Sequence, residues 1–360
     1  MPAPNHWGTV KERFEAFWAR GLHDRPLVSV TAPRRRTRVA PPPEPDLPRR
    51  WTDPDAMVSA TLLRLEATTL CGEALPVLYH NWSAGHALPF GCVPHFAEDT
   101  VWVDPAPVGP DGFPSLEGWR ESPWWEWMKR CTREASVQSR GRYFVMPVWG
   151  NHAADTLALV RGSETLMRDI AEHRDWVRRA VRRMSEILIE QIAELWEMVT
   201  PALTGLEGSV NYVSLWSPGL TLGFDCDVSC MFSVRDFEEL FLPPLVETMR
   251  TVDHCIYHLD GPGAIHHLEL LLEVPEIDAI QWVPGDGQPG IMHWVPLIRR
   301  VQEKRKAIAV YARPEEVAPL LDAVRPEGLF IGTTCETEEE AASLLERITA
   351  LPGPGHKAFP

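Results

Sequence analysis

The second half of the chain repeats a strand-and-helix rhythm that leaves few folds open to it. Apolar runs at 254–259, 277–283, 307–311 and 329–332 read as strands, and amphipathic stretches at 264–274, 294–304, 314–324 and 337–350 read as the helices between them. Short strands separated by helices pair in parallel, because a tight turn reverses the chain whereas a helical crossover returns it to the same end of the sheet. Such crossovers are right-handed, and the pattern builds either a doubly wound sheet or a closed barrel.

The first half is less regular. Further strands are expected at 27–31, 77–80, 143–148 and 210–216, and a long helix over 163–199. Together these make about eight strands, the number of a TIM (β/α)8 barrel, while no Gly-x-Gly-x-x-Gly turn follows the first strand as a dinucleotide-binding sheet would need. The expectation is one α/β domain over residues 1–360, with an N-terminal extension at 1–75, the barrel at 76–350 and Pro-rich insertions at 41–48 and 105–123.

A net charge of -15 argues against general affinity for nucleic acid or anionic membrane, whose phosphates call for basic surface. No apolar run approaches a membrane span and residues 1–10 lack the features of a secretory signal, so a soluble protein acting on a small molecule is expected. The 7 cysteines, an odd count, read as reduced thiols of a cytoplasmic protein. The Arg34-Arg35-Arg36 run is a surface cluster.

His258 and Asp260 stand two apart at the end of an apolar run, just before the Gly261-Pro262-Gly263 turn. Alternation along a strand sends both side chains to one face and Cys255 to the other. In barrels of this kind functional side chains gather where strands end, and Cys335 follows the last strand in the same way. Zinc takes imidazole, carboxylate and thiolate, and a catalytic site leaves one position open, so His258, Asp260 and Cys335 are the expected metal ligands. A thiol at the start of a helix also has its pKa lowered, which favours a ligand at Cys335. The loop carrying Asp225, Cys226, Asp227 and Cys230 supplies catalytic candidates in Asp227, Cys226 and Cys230. Trp149, Trp216 and Gln281, near strand ends, are the expected substrate-binding residues. The alternatives are structural: a polar pair capping the strands, cysteines packed as small hydrophobes and tryptophans anchoring the core.

With those residues placed, the chain resembles the uroporphyrinogen decarboxylase superfamily, in the decarboxylase-like branch related to cobalamin-linked zinc methyltransferases. The resemblance is carried by Phe232-Ser-Val-Arg-Asp-Phe-Glu-Glu-Leu-Phe-Leu-Pro-Pro-Leu, Tyr257-His-Leu-Asp-Gly-Pro-Gly-Ala, Ile277-Asp-Ala-Ile-Gln-Trp-Val-Pro-Gly and the Cys335 loop, with similar pieces at 20–30 and 158–164. It implies a TIM barrel in which zinc, held by a His-x-Cys pair and a later Cys, activates a thiol for methyl transfer. His258 matches the His and Cys335 the later Cys, while Asp260 stands where the first Cys would be, which makes the donor set harder. No Asp-x-His-x-x-Gly motif is present, so cobalamin is not expected to bind this chain itself, and any corrinoid would arrive on a separate partner protein. Two other readings stay open: a cofactor-free decarboxylase or lyase acting on a non-porphyrin carboxylic acid, with Asp260 as proton donor, and a non-enzymatic metal or tetrapyrrole carrier. A homodimer is compatible with each.

Overall fold

In the computed structural model residues 4–35, 46–79, 82, 84–146 and 153–350 are described. The predicted parallel strands of the second half are all present: β10 (His254–Asp260), β11 (Ala279–Val283), β12 (Ala307–Tyr311) and β13 (Leu329–Thr334). They lie side by side in a seven-stranded sheet with β9 (Thr221–Phe224) at one edge and β1 (Leu27–Pro33), then antiparallel β2 (Thr68–Gly72), at the other. The order β2-β1-β13-β12-β11-β10-β9 is parallel from β1 to β9, as helical crossovers require. Because β1 is hydrogen-bonded to β13 and β2 to β1, the expected N-terminal extension supplies two strands of the central sheet.

The ladders stop short of a closed ring among the described residues. β3 (Val77–Leu78) and β6 (Phe144–Val145) pair with each other in parallel, outside the large sheet. β4 (Val93–Phe96) and β5 (Val101–Asp104) form a separate antiparallel hairpin. The fold established here is therefore α/β with a parallel central sheet.

Two expectations are corrected. The run at 210–216 is not one strand, because Asn211 accepts hydrogen bonds from the amides of Val213 and Leu215 and Ser214 turns through a φ of 67°. This leaves a two-residue hairpin, β7 (Ser209–Val210) with β8 (Trp216–Ser217), and β9 follows it as the sheet strand. The helical stretch at 163–199 is broken at His173, whose φ of -132° and ψ of 40° leave the helical region between Ser163–Glu172 and Arg174–Trp196.

The two sheet faces have different partners. Cys255, Tyr257, Leu259, Ile280, Trp282, Ile308 and Val310 join the layer of crossover helices. Ile256, Ala279, Ala307, Ala309 and Phe330 face the other way and pack with helix α1 (Pro4–Trp18) through Val10, Phe14, Phe17 and Trp18. Trp18 fixes α1 at the start of the strands, donating its indole N–H to the Trp216 carbonyl at 2.8 Å and stacking on the His254 ring at 4.6 Å. A buried carboxylate ties the same region together. Glu73 accepts from both terminal nitrogens of Arg25 (2.7 and 2.8 Å), from Arg13 of α1 (2.9 Å) and from the Val28 amide (2.9 Å). No described helix is long and apolar enough to cross a membrane.

Candidate metal centre

The opposite ends of the strands carry the polar constellation. His254 begins β10, and six residues later Asp260 ends it, so the two levels lie about 20 Å apart at the usual strand rise. The inward parity of β10 presents His258 and Asp260 together, with His258 Nε2 3.8 Å from Asp260 Oδ1. On β11 the residue in register with His258 is Gln281. Its Oε1 lies 2.8 Å from His258 Nδ1. A carboxamide oxygen can only accept, so Nδ1 is the donor in this bond and Nε2 is the nitrogen on the side of Asp260.

Asp227 is the third member. One ligand atom from each of Asp227, His258 and Asp260 lies within 4.8 Å of the others. Asp227 opens the 3-10 turn Asp227–Met231 after β9, and Asp155 accepts from the Asp227 amide at 3.1 Å and the Val228 amide at 2.8 Å. The turn is thereby held so that the Asp227 carboxylate, exposed like that of Asp260, meets the imidazole.

Cys335 does not join this group. It follows the inward-facing Phe330, Gly332 and Thr334 at the opposite parity, so its thiol is buried against the helix Glu338–Thr349. Burial pushes that thiol up, and Glu340 and Cys71 add to the effect, which opposes the thiolate expected at a helix start. Cys226 is likewise corrected. Leu222, Phe224 and Cys226 point into the helix layer, and burial, followed by Asp155, Asp225 and Asp227, holds the Cys226 thiol well above its ordinary value. Cys230 is exposed at the rim near Gly263, where partial burial first, and then Asp227, Asp155 and Asp260, raise its pKa and keep it a thiol.

Trp216 is not a pocket wall. It is buried at the α1 end, with its indole donating to the Glu207 carbonyl at 2.8 Å and its ring edge-on to Trp7. Trp149 lies outside the described residues. Gln281 does reach the site, as the partner of His258.

Three residues that were not anticipated complete the mouth. Tyr212 lies across Gly223, where any Cβ would collide with its ring, and its centroid is 6.0 Å from that of His258. Its hydroxyl is buried without a hydrogen-bond partner among the described residues, and burial together with Asp225 and Asp227 raises its pKa far above the ordinary phenol value. Tyr79 is raised by enclosure and by Asp225. Tyr311 ends β12 at the parity of Ala307 and Ala309, two residues beyond Ala309, the register partner of Gln281. The signal was present in the sequence: Tyr311 is the last residue of an apolar strand, the position at which barrel sites collect.

No family model and no curated protein matches the chain. Among solved structures it is similar in fold to a methyltransferase from Methanosarcina mazei, with a TM-score of 0.61 over 94% of this chain and 98% of that one, at 12% sequence identity.

Proposed function

We propose that this protein is a metal-dependent methyltransferase of the uroporphyrinogen decarboxylase superfamily, a (β/α)8 barrel with its site at the C-terminal mouth. The observation that carries the reading is the convergence of Asp227, His258 and Asp260, with Gln281 Oε1 2.8 Å from His258 Nδ1 to orient the ring. The methyltransferase fold likeness and the family motifs at 232–245 and 257–264 support it.

The residues fit a divalent ion by their chemistry. Nitrogen and oxygen donors at mutual distances that a small closure brings to tetrahedral spacing suit zinc, and the exposed side leaves room for a fourth ligand. Asp227 takes the place expected for Cys335, so the donor set is harder than a cysteine-rich one. When bound, zinc lowers the pKa of a coordinated thiol, making a nucleophile available at neutral pH. Within the chain, Gln281 orients the imidazole, Asp155 holds the Asp227 turn, and Tyr79, Tyr212 and Tyr311 wall the space in which acceptor and methyl donor meet. The acceptor is a small thiol, and a corrinoid donor would be delivered by a separate protein rather than bound by this chain. All 7 cysteines are free, in keeping with a cytoplasmic enzyme.

The mouth weighs against a decarboxylase. Such an enzyme needs a cation to hold the substrate carboxylate, whereas among the described residues the charged groups that raise the pKa values of Tyr79, Tyr212 and Cys230 are aspartates. Elemental analysis of purified wild type, Asp227→Ala, His258→Ala, Asp260→Ala and Cys335→Ala tests the reading. The expected result is metal in wild type and in Cys335→Ala, lost from the other three. Metal retained in Asp227→Ala and lost from Cys335→Ala would reverse the assignment.

A further inference from the structure

Tyr311 is placed differently from the inward residues below it on β12. Ala307 and Ala309 are fully buried, but Tyr311 is 48% exposed, so its ring looks into the open mouth. The ring lies over Gly332 of the neighbouring strand, the residue paired with it in the β12–β13 ladder. A Cβ at Gly332 would sit 2.5 Å from two ring carbons, so the seat exists because that position lacks a side chain.

Tyr311 also stands beside the His258–Gln281 pair. His258 Nδ1 lies 2.8 Å from Gln281 Oε1, and Tyr311 lies two residues beyond Ala309, the register partner of Gln281 on β12. Its half-exposed hydroxyl can turn its proton into the mouth. A phenol ordinarily ionises at about pH 10, and partial enclosure raises that of Tyr311 further, so the group is a neutral O–H donor at neutral pH.

We propose, building on the metal centre above, that Tyr311 donates a hydrogen bond from its hydroxyl to the thiolate sulfur of the acceptor beside His258 and Asp260, with Gly332 as the seat that aims it. An anion entering a mouth that already holds Asp225, Asp227 and Asp260 requires a donor as well as a cation, and Tyr311 is the neutral donor on the strand beside that of Gln281. Tyr212 is less suited to this task, because its buried hydroxyl feels Asp225 and Asp227 directly.

The test uses the full chain loaded with cobalt(II) and titrated with 2-mercaptoethanol, followed by the thiolate-to-cobalt charge-transfer absorption. Tyr311→Phe is expected to keep cobalt(II) affinity within about threefold and to lose about tenfold in thiol affinity, the worth of one hydrogen bond to a charged group. Gly332→Ala, which keeps the hydroxyl but displaces the ring, is expected to show the same selective loss. Unchanged thiol affinity in Tyr311→Phe would overturn the role of Tyr311 and leave the metal site standing. A parallel fall in cobalt(II) affinity would also overturn it, by showing that Tyr311 only supports the ligands. Failure of wild type to take up cobalt(II), or uptake undiminished in His258→Ala, would remove the metal centre and the proposal with it.

Discussion

Replacing Gln281 by leucine separates a residue that merely lines the strands from one that prepares a metal ligand. Gln281 is 4% exposed and leucine is close to it in size, so the substitution keeps packing and removes one acceptor, the oxygen 2.8 Å from His258 Nδ1. His258 is then free to carry its proton on Nε2, the nitrogen that faces Asp227 and Asp260, and must give up that tautomer whenever it binds an ion. Losing such a supporting hydrogen bond costs about 10–100-fold in metal affinity. The imidazole side chain is only 18% exposed, so water replaces the acceptor poorly and a value inside that range is expected, about thirtyfold or about 2 kcal/mol. Competition for zinc against a chromophoric chelator, on variants shown by circular dichroism to be folded, measures the change directly. Gln281→Glu keeps an acceptor at the same place and should hold affinity within about threefold of wild type or tighten it. The reasoning is refuted if Gln281→Leu binds zinc as wild type does while His258→Ala has lost it.

Two further expectations concern stability. Glu73→Ala leaves the buried Arg25 guanidinium without its carboxylate and frees Arg13 of α1, so unfolding free energy from urea denaturation should fall by about 3–5 kcal/mol, and a loss below about 1 kcal/mol would contradict the role given to this group. His267, fully buried, donates from Nε2 to the Ser229 carbonyl at 2.9 Å within the turn that carries Asp227, with Nδ1 unpartnered among the described residues and the His266 ring 3.8 Å away. Burial lowers its pKa below the ordinary 6.5, so the unfolded chain binds the proton more readily than the native one. The neutral form stabilises the fold above that value, and stability is lost as pH falls below 6.5, by at most about 1.4 kcal/mol per pH unit for this one proton. His267→Gln, which keeps a donor for Ser229, should flatten this part of the stability profile, and identical profiles for the two proteins would show that His267 does not cause it.

The sheet and half of the centre were legible from residue order. The 254–350 rhythm predicted four parallel strands that are all present, and period-two alternation placed His258 with Asp260 and sent Cys255 away, because strand geometry is local and repeats every two residues. Gln281 could be found near the strand end, though its bond to His258 depends on the register between β10 and β11. The partner of that pair was beyond residue order. Cys335 and Asp227 both follow strands and both offer zinc ligands, and the choice between them turns on one residue of parity after Thr334 and on Asp155, 72 residues from Asp227, holding a turn.

Trp216 shows the same limit from the other side. It was expected at a strand end facing substrate, but the turn at Ser214 reverses the chain and α1 covers the tryptophan at the far end of the strands. What the sequence determined by itself was therefore what alternation and helical crossovers impose over a few residues: the parallel sheet, and the shared face of His258 and Asp260. Tertiary structure alone decided which distant side chains meet that face, Asp227 and Tyr311 rather than Cys335 and Trp216. Contacts between segments far apart in the chain depend on register, on turns and on packing volume, as at Gly223 and Gly332, and none of these is written in the spacing of residues along one strand.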